Sequence, residues 1–73
     1  MADSVNEYLR RTTFEFKGRT YVVRIRDGAA VYREEAHLGG PWSEASRSIS
    51  NTSLHSTFRR LLAATVKELL TSK

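Results

Sequence analysis

A chain of 73 residues holds one domain, and a domain this small buries only about 60 to 65% of the surface its unfolded chain exposes, so its stability is marginal. It has no cysteine, which excludes a disulfide, a thiolate metal site and a thiol nucleophile; with neither a basic-then-apolar leader nor an apolar run of about 18 residues, it is expected to be soluble and cytoplasmic. The formal charge of +4, from twelve Lys and Arg against eight Asp and Glu, either serves solubility or favours a polyanion or an acidic protein surface; neither a membrane nor a small-molecule substrate is expected.

In chain order, residues 3–11 read as a short helix. Ser4 and Glu7 have capping-box spacing, Val5, Tyr8 and Leu9 fall on one stripe, and Arg10 and Arg11 suit the C-terminal end of a helix dipole. About two turns are too few to stand alone. The stripe therefore docks, either on its own domain or, as an N-terminal arm over 1–11, on another protein.

Thr13 to Glu35 is three alternating runs joined by two tight reversals, Lys17-Gly18 and Asp27-Gly28. Two-residue loops need positive φ, which glycine tolerates and aspartate accepts better than most residues. The register that follows sets Phe14 opposite Tyr21, Val23 opposite Tyr32 and Ile25 opposite Ala30. One face then carries Phe14, Phe16, Tyr21, Val23, Ile25, Ala30 and Tyr32, the expected core side. The other carries Glu15, Thr20, Val22, Arg24, Arg26, Val31 and Arg33 and reads as solvated.

Residues 36–53 read as a long serine-rich loop around Gly39-Gly40-Pro41-Trp42. Trp42 either caps the open edge of the core or anchors a partner, and Ile49 returns the chain to the core. Asn51, Thr52 and Ser53 offer capping oxygens for a final helix in which Leu54, Phe58, Leu61, Leu62, Thr65, Val66 and Leu69 recur at steps of three and four. About eighteen helical residues span about 27 Å, enough to roof a three-stranded sheet. Arg59, Arg60, Ala63 and Lys67 then point outward. The expected fold is α+β: a short N-terminal helix, a three-stranded antiparallel sheet of two hairpins, and a C-terminal helix packed on one sheet face, in a single domain over 1–73.

Little in the chain resembles catalytic machinery. His37 and His55 lie far apart with no ligand at zinc-like spacing. Glu34 and Glu35 point to opposite faces of a strand, and Gly39-Gly40 is not followed by a phosphate cradle. The expectation is a protein that is not an enzyme and has no catalytic residue, metal or cofactor. Two nucleic-acid readings remain. The helix, three strands, helix order resembles the double-stranded-RNA-binding domain, although Ser53-Leu54-His55-Ser56-Thr57-Phe58 lacks the lysines with which that family begins its last helix. Alternatively, Arg24, Arg26 and Arg33 enter a major groove as a ribbon, or simply form a solvated face.

The capped N-terminal arm, arginine-bearing sheet, Trp-bearing loop and basic last helix together resemble the small host-polymerase-binding transcription regulators of lytic bacteriophages, such as those of phages infecting Xanthomonas. The resemblance rests on size, composition and layout. It implies a protein of the host cytoplasm that binds bacterial RNA polymerase, blocks sigma-dependent initiation and promotes antitermination. Under it, Val5, Asn6, Tyr8, Leu9, Arg10, Arg11 and Trp42 become the partner contacts. Arg24, Arg26, Arg33, Arg59, Arg60 and Lys67 then face DNA or nascent RNA. The alternative is a stand-alone basic module that binds nucleic acid through the Arg-rich sheet face or the C-terminal helix.

Overall fold

The computed structural model describes residues 11–37 and 39–71. Both reversals take the geometry their sequences require: φ is +52° at Lys17, +77° at Gly18, +53° at Asp27 and +80° at Gly28. Positive φ at both central residues defines the turn whose twist matches that of the flanking strands. They join β1 (Arg11–Phe16), β2 (Arg19–Arg26) and β3 (Ala29–Glu34) in an antiparallel meander. Phe14 faces Tyr21, Val23 faces Tyr32 and Ile25 faces Ala30, so the register follows from the two-residue loops as expected.

The sheet has a fourth strand. β4 (Ser43–Glu44) pairs with β3 through Val31 with Glu44 and Tyr32 with Ser43. It leads directly into α1 (Ala45–Ile49). The middle of the expected loop over 36–53, residues 43–49, is therefore regular structure. Ala45 and Ile49, four residues apart on one helical face, both reach the core, and the Tyr32 hydroxyl lies 2.6 Å from Ser48 Oγ. A serine-rich composition hid this because a short helix is held by such tertiary contacts rather than by propensity.

The closing helix, α2, runs Ser56–Thr71. It starts later than the expected caps. Asn51 Oδ1 accepts from the Ser53 N–H at 2.9 Å and closes a local turn, whereas the helix is capped by His55, whose Nδ1 accepts from the Thr57 N–H at 3.1 Å. Phe58, Leu62, Thr65 and Leu69 are buried along its inner stripe, with Leu61 and Val66 at its margins. The Thr65 hydroxyl is satisfied by donating to the Leu61 carbonyl at 2.8 Å.

The core lies between this stripe and the sheet face of Phe14, Phe16, Tyr21, Val23, Ile25, Ala30 and Tyr32. Val23 and Leu62 are fully buried. Phe58 is its centre, with ring centroids 5.6 Å from Phe14, 5.5 Å from Phe16, 5.1 Å from Tyr21 and 5.8 Å from Tyr32. Edge-on and tilted rings at this spacing add to the area they bury. Of the N-terminal helix expected over 3–11, residues 3–10 lie outside the described residues; Arg11 is not helical but is the first residue of β1, paired with Arg24. Among the described residues, no helix is long and apolar enough to cross a membrane.

Candidate functional site

The second face of the sheet holds four of the chain's arginines in rows set by the register. Glu15, Thr20 and Glu35 lie at the end of the first hairpin, where the Glu35 N–H donates to the Thr20 carbonyl at 2.8 Å. Next come Thr13, Val22 and Arg33; then Arg11, Arg24, Val31 and Glu44; then Arg26 beside Ala29. Alternation along each strand puts all of these on the side away from α2. The face is acidic at one end and carries four arginines toward the other.

Trp42 organises that face. Ser43 pairs with Tyr32, so Trp42, one residue earlier, falls on the side of Arg33. The Arg24 guanidinium carbon lies 4.6 Å from the ring centroid and that of Arg33 lies 4.7 Å from it. Both are within the range where a cation over an indole is attracted by the ring quadrupole. Trp42 thus does not cap the core edge as one sequence reading had it; it lies across the sheet from the core. The Arg33 Nη1 also donates to the His37 carbonyl at 2.7 Å, tying the approach to β4 back to β3. The Nε atoms of Arg24 and Arg33 are buried and make no hydrogen bond, so their remaining donors carry any contact outward. Val22 and Val31 are buried as well. This corrects the expectation of a fully solvated face: these valines neighbour Arg33 and Arg24 in register, whose aliphatic stems give apolar cover.

The other basic residues are elsewhere. Arg60 and Lys67 are exposed on α2, in the opposite layer of the molecule. Arg59 does not face outward as expected. Its Nε donates to the Leu54 carbonyl and its Nη1 to the Ile49 carbonyl, each at 3.3 Å, so it fastens the turn between α1 and α2. The expected nucleic-acid set is therefore split between two opposite faces and one internal brace. Of the expected partner contacts, Val5, Asn6, Tyr8, Leu9 and Arg10 lie outside the described residues. Arg11 and Trp42 share the arginine face.

His37 and His55 are both exposed, and His55 is placed by its capping bond and an edge-on contact with Phe16 at 5.3 Å between ring centroids. No group of three or more His, Cys, Asp or Glu that could hold a metal ion occurs among the described residues. The fourth strand and α1, inserted between β3 and α2, depart from the order that resembled the double-stranded-RNA-binding domain. Sequence reasoning found the arginines and the tryptophan separately but missed their union. The available signal was a lone Trp in a chain whose solvent-side strand positions carry three arginines, since an indole face is the preferred seat for a guanidinium. No protein-family model, curated protein or solved structure matches the chain.

Proposed function

We propose that the protein is a non-enzymatic transcription regulator that docks on bacterial RNA polymerase, blocking sigma-dependent initiation and promoting readthrough of terminators. The observation that supports this reading is the cationic sheet face on which Arg24 and Arg33 stack against Trp42, continuous at Arg11 with the sequence of the arm. The sequence stripe of Val5, Asn6, Tyr8, Leu9 and Arg10 has the aromatic and arginine composition of interface anchors. Arg11 then joins that arm to the arginine face. Occupying a site that sigma needs calls for affinity and position rather than chemistry.

Because Arg11 belongs to β1, the arm is tested by substitution in the full chain. Tyr8→Ala combined with Leu9→Ala is expected to abolish capture of polymerase subunits from bacterial lysate and inhibition of promoter transcription, with an unchanged unfolding midpoint. Capture of polymerase by the double variant at the native level, or no capture by the native chain, refutes the reading.

A further inference from the structure

We infer that the arginine face of the sheet is a binding surface for the phosphodiester backbone of single-stranded nucleic acid, with Trp42 as the residue that positions its two central guanidinium groups. The inference does not rest on the polymerase reading. Arg24, Arg26 and Arg33 lie on one side of two adjacent strands, and Arg11 stands directly across from Arg24 on a third. Among the described residues, none of Arg24, Arg26 and Arg33 is ion-paired, whereas Arg19, on the other side of β2, is bridged to Glu34 at 3.3 Å. Arg24, Arg26 and Arg33, gathered on one face without ion pairs, repel one another, and a polyanion relieves that repulsion while releasing its own counterions.

Two features make this surface more than net charge. Stacking on Trp42 holds the Arg24 and Arg33 guanidinium groups in place before any ligand arrives, so less side-chain entropy is lost on binding. The same stacking engages the ring that would otherwise receive a base. Recognition is thereby directed to the backbone and is indifferent to sequence and to the sugar. The width of the sheet selects single strands. A major groove about 12 Å wide admits a two-stranded ribbon, whereas four strands spaced about 4.8 Å apart already span about 14 Å between backbones. Glu15 and Glu35, at the far end of this face, confine the strand to the arginine end, and Glu44, at the β4 edge of the Arg24 row, bounds it on that side.

The test is fluorescence anisotropy of the purified full chain with a labelled 12-nucleotide oligouridylate, its deoxythymidylate counterpart and a duplex of equal length. Single strands contribute a slope of log K against log salt of about −0.7 per phosphate neutralised, so three contacts weaken binding roughly 20-fold between 50 and 200 mM salt. Both single strands are expected to bind alike, and the duplex more weakly. Arg24→Gln with Arg33→Gln is expected to lower affinity at least about tenfold and to flatten the slope by about 1.4. Trp42→Ala keeps every charge and is expected to weaken binding several-fold, with partial rescue by Trp42→Phe. Arg60→Gln with Lys67→Gln, on the opposite face, leaves the slope unchanged. Trp42 is the chain's single tryptophan, so its emission reports occupancy of this face and is expected to change on titration with unlabelled strand. The inference is overturned if the duplex binds as tightly as the single strands, if the helix variants rather than the sheet variants flatten the slope, or if anisotropy rises while Trp42 emission stays constant. Failure of these measurements with polymerase capture intact removes this surface alone. The converse result removes only the polymerase reading.

Discussion

Phe58 and His55 show how differently single residues act in this fold. Phe58 touches four other aromatic rings, so removing its ring opens a cavity at the centre of the core. Phe58→Ala is expected to cost about 3–5 kcal/mol by chemical denaturation. For a chain near the lower end of globular stability, about 5 kcal/mol, that removes most or all of its stability. His55 acts on one hydrogen bond. Its Nδ1 occupies the place that serine, threonine or aspartate more often takes at a helix start. His55→Ala is expected to lose about 1 kcal/mol, with most of the far-ultraviolet helical signal retained. A loss as large as that of Phe58→Ala would mean that the contact with Phe16, not the cap, is its main contribution.

Among the elements, the hairpins are locally determined and α1 is not. Gly28 sits at φ +80° with open space around its α-carbon, so Gly28→Ala introduces backbone strain without a clash, and the expected cost is about 1–2 kcal/mol. Five residues make too short a helix to persist alone. α1 is held by buried Ala45, by Ile49 and by the Tyr32–Ser48 hydrogen bond. Ala45→Leu is expected to overpack this junction and destabilise the protein by about 1–3 kcal/mol, read by thermal or denaturant unfolding. Hydrogen exchange is expected to be faster in α1 than in β2, which is paired on both edges. Equal protection would mean that α1 opens only with the whole domain.

At the scale of the molecule, the two layers give opposite sides different work. One side of the sheet is closed by α1 and α2 around Phe58. The other carries the Arg24–Trp42–Arg33 stack. Since Trp42 lies outside the core cluster, Trp42→Ala is expected to cost about 1–2 kcal/mol, the sum of two cation–π contacts, rather than the larger penalty of a core aromatic. A cost near that of Phe58→Ala would make Trp42 part of the stabilising framework and weaken its assignment as a positioning residue. Leu70 is 55% exposed at the end of α2. A single apolar residue of this kind is ordinary and needs no partner to account for it.

The two reversals, the pairing register, the inward faces of sheet and helix, and the position of Phe58 among the core residues were all legible in the order of amino acids. Each is written in short-range chemistry: a glycine where φ must be positive, alternation of period two, recurrence of period 3.6. The fourth strand, α1, the late start of α2, the inward turn of Arg59 and the seat of Trp42 depend instead on packing between elements. None of these has a local signature strong enough to outweigh serine, glycine and proline in the intervening stretch. They exist because β3 offered an unpaired edge, the core left room for Ala45 and Ile49, and an indole found two guanidinium groups already standing on neighbouring strands.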